Sequence, residues 1–303
     1  METVLATKGL TKTFSHRFAV NNVNINVHRG DIYGFIGKNG AGKTTLMRMA
    51  AGLAAPTSGE ILLFDSTDLS QQRKRIGTVI ENPAIYPNMT AVQNMEVQRR
   101  LLGINEESCV QQTLQIVGLA DAGKKKAKNF SLGMKQRLGI GLALLGNPDF
   151  LILDEPNNGL DPEGIKEIRD LILKLNTEKS LTILISSHIL GELSKVATCY
   201  GIINNGILID EFSAQELEDR CKNNLTIRVD DVQKASNVLE TVLQTKNYQI
   251  LPDNSIALFD FLEEPGKVNA ELSKNGVMVE SISMTGQDLE AYFLTLIGGV
   301  ANA

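Results

Sequence analysis

Short apolar segments alternate with helical patterns along the first two-thirds of the chain. Five segments are rich in β-branched and aromatic residues and are bounded by turn residues: 31–37, 75–81, 149–156, 181–188 and 199–205. Helical stretches separate the second, third and fourth of these segments. Apolar strands that alternate with helices are typical of an α/β domain with a largely parallel, buried sheet.

Two further patterns modify this picture. Segments 21–31 and 59–65 alternate apolar and polar residues, as half-exposed antiparallel strands do. Strand signals then stop, and a helical subdomain is predicted over about 88–147, with helices at 92–102, 109–117 and 132–145. Asn205-Gly206 predicts the turn of a β-hairpin, because both residues tolerate positive φ.

A second pattern of strands and helices begins after Arg220. We predict strands and helices in the order βαββαβ, at 225–229, 232–243, 248–251, 256–261, 265–275 and 277–284. A final helix that extends to Ile297 is predicted to follow. This order is typical of the ferredoxin-like α+β arrangement. We therefore expect a first domain over residues 1–215 and a small accessory or regulatory domain over residues 216–303.

Composition and charge exclude several classes of protein. Hydrophobic residues make up 43% of the chain and charged residues 21%, which favours a folded domain over a disordered one. The net charge is -5 and the pI is near 5.4, so no nucleic-acid partner is expected. The lysine-rich run 124–128 is interpreted as a solvated turn.

The cysteines and the apolar segments indicate a soluble, cytoplasmic protein. Cys109, Cys199 and Cys221 are isolated, which predicts reduced thiols rather than a zinc site or disulfides. The N-terminal segment lacks the apolar core of a signal peptide. Apolar stretches such as 138–146 are too short to span a bilayer, so any membrane role must depend on a partner.

The segment 37–44, GKNGAGKT, has the pattern of a phosphate-binding loop. It follows a predicted strand and precedes a predicted helix, which is the structural context that this motif requires. Glycines allow backbone N–H groups to surround phosphate oxygens, and the helix N-terminus adds its positive dipole. Lys43 is expected to reach the β and γ phosphates, and the Thr44 hydroxyl to bind Mg²⁺. The residues predicted to contact nucleotide are Gly37, Lys38, Asn39, Gly40, Ala41, Gly42, Lys43, Thr44 and Thr45.

Two carboxylates end the buried strand in FLILDEP. Asp154 is expected to hold Mg²⁺ at the carboxyl edge of the sheet. Glu155 is placed to act as the general base toward an attacking water. Beside a phosphate-binding loop, a metal site explains this pair better than a simple strand end, because burial of acids without a cation is costly.

Two polar positions have both a structural and a functional interpretation. Ser131, with Gly133 two residues later, precedes a predicted helix, where it caps the helix or helps to bind a phosphate. His188 follows the apolar strand in LISSHIL, where it is either a structural residue or part of the site. It leaves the sheet at the same edge as Asp154.

Taken together and in this order, these motifs resemble the ATP-binding-cassette (ABC) ATPases over residues 1 to about 215. The resemblance implies an α/β P-loop NTPase fold and the cofactors ATP and Mg²⁺. It identifies Asp154 as the Mg²⁺ acid, Glu155 as the catalytic base and His188 as the switch histidine that contacts γ-phosphate. Asp161, in NNGLDP, corresponds to the loop that communicates across the dimer. Phe14 aligns with the aromatic residue that stacks on adenine, and Phe18 is the alternative.

The segment FSLGM occupies the place of the family signature Leu-Ser-Gly-Gly-Gln and differs from it at three of five positions. Ser131 and Gly133 are retained. In the family these two positions contact the ATP held by the opposite subunit. The resemblance therefore implies an ATP-dependent, head-to-tail homodimer.

Glu81 stands where most of the family has glutamine. In the family the oxygen of this residue contacts Mg²⁺ and the attacking water, and its loop senses the membrane partner. A carboxylate keeps an oxygen ligand of the kind that Mg²⁺ prefers and adds a negative charge. Glu81, the SLGMKQR segment and the C-terminal DLEAYFLTLIGG resemble the ATPases of bacitracin-resistance and lantibiotic self-immunity exporters.

The resemblance implies an ATPase that powers a separate integral membrane permease, which exports a lantibiotic or bacitracin-like antimicrobial peptide for immunity or resistance. Through this permease, the ATPase is expected to be peripheral on the inner face of the cell membrane. One alternative is a soluble cassette ATPase that acts on ribosomes or nucleic acid. Such proteins usually carry two cassettes, coiled coils or basic arms, which are not visible here. A P-loop kinase or GTPase would not require Ser131, Gly133 and His188 at these places.

Overall fold

The computed structural model describes residues 2–285, which form fourteen strands and ten α-helices. The strands are β1 (Thr3–Phe14), β2 (Arg17–Val23), β3 (Asn26–His28), β4 (Ile32–Ile36), β5 (Ser58–Leu63), β6 (Ile76–Val79), β7 (Phe150–Leu153), β8 (Thr182–Ser187), β9 (Cys199–Asn204), β10 (Ile207–Ser213), β11 (Asn224–Val229), β12 (Tyr248–Ile250), β13 (Ile256–Leu258) and β14 (Val279–Thr285). The helices are α1 (Lys43–Ala51), α2 (Leu69–Gln72), α3 (Ala91–Leu101), α4 (Ser108–Ile116), α5 (Leu132–Leu144), α6 (Pro162–Lys179), α7 (Leu190–Leu193), α8 (Ala214–Cys221), α9 (Val232–Thr241) and α10 (Pro265–Lys274). No helix in residues 2–285 combines the length and apolar character needed to cross a membrane.

The central sheet has the strand order β10-β9-β4-β8-β7-β6. Neighbours are parallel except β9 and β10, which form the predicted hairpin at Asn205-Gly206. Both turn residues have positive φ, 49° and 80°, which matches the right-handed twist of the strands. Because the parallel strands are in register, the segments that follow β4, β6, β7 and β8 leave the sheet at one edge.

A smaller antiparallel sheet is built around β1, which pairs with β2, β3 and β5. The predicted segment 59–65 covers most of β5, whereas the predicted segment 21–31 is divided between the end of β2 and all of β3. The long strand β1 itself was not anticipated from the sequence. Its polar half, 7–13, lacks a regular alternation and is interrupted by Gly9 at φ 59°. The three neighbouring strands supply the pairing that this segment does not specify by itself.

The helical segment contains α3, α4 and α5, each within one residue of its predicted ends. A capping box fixes the start of α3, since Thr90 and Gln93 exchange side-chain and backbone hydrogen bonds. Ser131 caps α5 by accepting a hydrogen bond from the N–H of Met134 at 3.2 Å. Local signals therefore determined the starts of α3 and α5.

The chain divides into two compact units, Met1–Ala214 and Gln215–Ala303. The second unit has the predicted βαββαβ order, and its antiparallel sheet has the order β12-β13-β11-β14 of the ferredoxin-like arrangement. Its core lies between the sheet and the helices α9 and α10, around Ile227, Leu239 and Leu272. Helix α8 was not predicted. The helix predicted to extend to Ile297 lies outside the described residues.

Candidate functional site

The glycine-rich loop 37–42 connects β4 to α1 at the carboxyl edge of the central sheet. Gly42 has φ 114°, and a Cβ there would lie 2.4 Å from the carbonyl oxygen of Ala19, so no larger residue fits. No side chain caps the start of α1 at Gly42. The first N–H groups of the helix are therefore directed into the loop, which is the arrangement that binds a phosphate anion.

Lys43 lies inside this loop and is 5% exposed. Its Nζ donates hydrogen bonds to the carbonyl oxygens of Gly37 at 2.6 Å and Lys38 at 3.3 Å. The same ammonium lies 3.0 Å from Glu155 Oε1. A phosphate in the loop would compete with Glu155 for this buried charge, so the loop and the carboxylate are electrostatically linked.

Asp154 is buried at the end of β7 and accepts two hydrogen bonds. Its Oδ2 accepts from Thr44 Oγ1 at 2.7 Å, and its Oδ1 accepts from Ser186 Oγ at 2.6 Å. Thr44 and Asp154 thus present a hydroxyl and a carboxylate oxygen side by side, which suits Mg²⁺. Within residues 2–285, no group of three or more acidic, histidine or cysteine side chains is arranged to hold a metal ion, so water and phosphate would complete the coordination.

Glu155 adopts a left-handed backbone conformation, with φ 48°. Its N–H donates to Ser186 Oγ at 2.8 Å, which holds the backbone in this uncommon region. Its carboxylate lies between Lys43 and His188, whose Nδ1 is 2.8 Å from Oε2. The structure therefore brings the three candidate residues Lys43, Glu155 and His188 into one connected group.

Ser186 completes this group and was not singled out from the sequence. It is fully buried in β8 and contacts both Asp154 and Glu155. A signal was available, because Ser186 and His188 are two residues apart and lie on the same face of an extended chain. The hydroxyl aligns the two acids with respect to one another.

Glu81 follows β6 at the same edge but does not join the group. Its Oε1 lies 2.7 Å from Arg48 Nη2 on α1, and its side chain is 57% exposed. Its φ is 63°, so its backbone is also left-handed. Among the described residues, Arg48 is the hydrogen-bond partner that the structure gives to this carboxylate. Its carboxylate is thus held by Arg48 rather than by the group of Lys43, Glu155 and His188, and the ligand role of Glu81 remains a prediction.

Ser131, Gly133 and Asp161 lie together in a separate cleft of about 530 Å³. Asp161 caps α6 by accepting from the N–H of Gly164 at 3.1 Å, as Ser131 caps α5. The capping interpretation of Ser131 is therefore observed, and Asp161 caps a helix in the same way. This cleft shares no lining residue with the cradle formed by Ala19, residues 39–45 and Glu155.

The hairpin of β1 and β2 lies against the glycine-rich loop, since Ala19 lines the same cradle. Phe14 and Phe18, near its turn, are 53% and 57% exposed. Lys12 Nζ lies 5.0 Å from the centroid of the Phe14 ring. Both rings remain available as a stacking surface beside the loop, and the choice of Phe14 remains a prediction.

Known proteins resemble this chain along its whole length. The ABC transporter family profile matches residues 20–158. The bacitracin transport ATP-binding protein BcrA of Bacillus licheniformis is 43% identical over 302 residues, 99% of each chain. The lantibiotic transport ATP-binding protein SrtF of Streptococcus pyogenes is 44% identical over 224 residues, covering 73% of this chain and 96% of that protein.

Solved structures agree with these relationships. A dimeric ATP-binding cassette in a post-hydrolysis state, bound to ADP and phosphate, has a TM-score of 0.62 and 25% identity, covering 70% of this chain and 99% of that chain. The ADP conformation of another ABC transporter cassette has a TM-score of 0.66 and 25% identity, covering 73% of this chain and 95% of that chain. The predicted cassette fold is confirmed, and this chain belongs to the ATP-binding proteins of ABC transporters.

Proposed function

We propose that this subunit, which hydrolyses ATP to power an ABC transporter, drives a separate permease that exports an antimicrobial peptide of the bacitracin or lantibiotic class. The observation that carries the proposal is the 43% identity to a bacitracin transport ATP-binding protein over 99% of both chains. The similarity extends through the second compact unit rather than ending with the cassette. The peptide class rests on these relatives, and the export direction rests on the family resemblance.

The chemistry is assigned to the group at the sheet edge. Lys43 and the N–H groups of the loop hold the phosphates, and the exposed ring of Phe14 stacks on adenine. Thr44 and Asp154 hold Mg²⁺, which neutralises phosphate charge when bound. Glu155 accepts the proton of the attacking water, and His188 orients the Glu155 carboxylate through their 2.8 Å contact.

A complete site is proposed to need two subunits in a head-to-tail homodimer. Ser131 and Gly133 lie in a cleft that has no residue in common with the phosphate cradle of the same chain. The N-terminus of α5 would then act on a phosphate that belongs to another subunit. Asp161, in the same cleft, would then lie at the subunit interface.

The permease is proposed to bind the groove of about 350 Å³ between β6 and the helices α3 and α5. The walls of this groove include Ile80, Pro83 and Leu142. The exposed apolar side chains of Tyr86 and Leu101 extend the surface beside it. Because Glu81 lies in the segment that forms one wall, movement of the permease would reach the site through this residue. This contact would place the subunit on the inner face of the membrane.

Variants of Glu81 test whether this residue is a Mg²⁺ ligand or only terminates strand β6. We expect Glu81→Gln to keep most ATP hydrolysis, because an amide oxygen can still bind Mg²⁺. Glu81→Ala should lose about 10-fold or more, and both should shift the Mg²⁺ requirement. The measurement is the ATPase rate against Mg²⁺ concentration, with the exposed Glu60→Gln as the matched control. Superimposable curves for all four proteins would refute the ligand role.

The proposed function is tested in cells that carry the permease. Cells that lack this chain should become susceptible to bacitracin or lantibiotics, and wild-type protein should restore resistance. Glu155→Gln should fail to restore it although the subunit still extracts with an integral membrane protein in detergent. Unchanged susceptibility to both peptide classes would contradict the proposal, and sedimentation of the chain with ribosomes would favour the soluble alternative.

A further inference from the structure

Arg137, in the second turn of α5, contacts the end of α4 and the second turn of α6. Its Nη1 donates to the carbonyl oxygens of Val117 at 3.2 Å and Gly118 at 2.9 Å, which follow α4. Its Nη2 lies 3.4 Å from Glu167 Oε2 on α6. The Arg137 side chain is 16% exposed and that of Glu167 is 45% exposed. One guanidinium therefore links three helices.

Space is reserved for this guanidinium at the end of α4. Gly118 has φ 65°, and a Cβ at this position would lie 2.8 Å from Arg137 Nη1. The carbonyl oxygens at a helix C-terminus carry partial negative charge, which a cation stabilises. A planar guanidinium reaches two carbonyls and a carboxylate at once, whereas a lysine ammonium on its flexible stem does not reproduce this geometry.

The same contact lies beneath the two helix N-termini that form the Ser131 cleft. A Cβ at Gly133 would lie 3.8 Å from Gly164 Cα and 3.9 Å from Glu167 Oε2. The first turns of α5 and α6 therefore pack directly on one another. Arg137 and Glu167 line the same cleft as Ser131 and Asp161. A change in the α5–α6 contact would shift Ser131 relative to Asp161.

We infer that Arg137 and Glu167 are positioning residues for the ATP held by the opposite subunit. They set the start of α5 relative to the start of α6 and do not contact the reacting atoms. This inference rests on the head-to-tail dimer of the proposed function. Loss of either residue should damage the ATP site of the partner subunit and spare the ATP site of its own subunit. A general loss of stability would not produce this difference.

The test uses heterodimers of the full-length chain that carry two substitutions, Lys43→Ala in the loop and Arg137→Met in α5. The two substitutions lie either on the same subunit or on different subunits. Differently tagged subunits are purified as heterodimers, and ATP hydrolysis is measured. With Lys43→Ala on one subunit and Arg137→Met on the other, the intact loop is completed by an intact α5, so single-site activity is retained. With both substitutions on one subunit, the intact loop faces the altered α5. We expect activity about 10- to 100-fold lower, since small misplacements have effects of this size.

Glu167→Met provides a second variant that is half-exposed and should fold normally; it should show the same dependence on arrangement with a smaller difference. Arg169→Met on α6 is the matched control, because Arg169 pairs with its neighbour Asp170 rather than with α5. This control should show no dependence on arrangement. Equal activity of the two arrangements for Arg137→Met and Glu167→Met would overturn the inference.

A parallel pair of heterodimers with Ser131→Arg in place of Arg137→Met separates this inference from the proposal on which it rests. If the ATPase activity differs between the two arrangements for Ser131→Arg but not for Arg137→Met, the positioning role is refuted and the composite site stands. Absence of that dependence for Ser131→Arg refutes the composite site itself. Dependence for both variants supports both statements.

Discussion

A chain that carries Glu155→Gln is expected to bind ATP and to hydrolyse it about 10²- to 10⁴-fold more slowly than wild type. Glutamine keeps the size of the side chain and can still contact Lys43 and His188, but it cannot accept the proton of the attacking water. The proposed function implies that hydrolysis reopens the dimer, so ATP should hold the variant closed. The measurements are the ATPase rate and the mass of the particle in ATP and Mg²⁺, determined by light scattering.

Glu178→Gln is the matched control for this prediction. Glu178 is exposed near the end of α6, and its replacement should leave both the rate and the mass unchanged. If Glu155→Gln hydrolysed ATP within a few-fold of wild type, the base would be assigned to the wrong residue. If Glu155→Gln hydrolysed ATP slowly but stayed monomeric with ATP bound, the assignment of the base would stand and the proposed closed dimer would be contradicted.

The second large effect is expected when two inactive subunits are combined. Lys43→Ala removes the buried ammonium of the loop, and Ser131→Arg places a bulky cation at the start of α5. Each homodimer should lose activity by about 10²-fold or more, the effect of removing one preorganised charge or donor. A purified heterodimer should recover one intact site, with about half of the wild-type rate if the two sites act independently.

Two outcomes would contradict the composite site in this experiment. The heterodimer could remain as inactive as either homodimer while its two subunits stay associated. Alternatively, a strictly monomeric wild-type preparation could show full ATPase activity under assay conditions. Lys135→Arg, at a half-buried position of α5 that does not line the cleft, is a suitable control for added bulk near it, and it should leave the rate of the heterodimer unchanged.

The sequence predicted the parts of the site that depend on chain order and local pattern. Parallel strands end at one edge of a sheet, so the loop after β4, the acids after β7 and His188 after β8 had to meet there. The start of α5 at Ser131 followed from a side chain that caps a helix. These positions followed from the sequence pattern, and the family resemblance, which the relatives confirm, added the role of each position.

Contacts between distant segments were not predictable in the same way. Arg48 and Glu81 are 33 residues apart, and nothing in the local pattern indicates that the guanidinium holds this carboxylate outside the group of acids. The contact of Arg137 with the end of α4 depends on how three helices pack. Strand β1 depends on three partner strands, and its own residues alternate too weakly to predict it.

The most direct test of the composite site is an experimental structure of Glu155→Gln with ATP and Mg²⁺. We expect a head-to-tail dimer in which each γ-phosphate lies between Lys43 of one subunit and Ser131 of the other. Glu81 should have left Arg48 for the metal side of the site. A structure in which ATP is enclosed by one chain, with Ser131 facing solvent or contacting the nucleotide of its own subunit, would contradict the composite site.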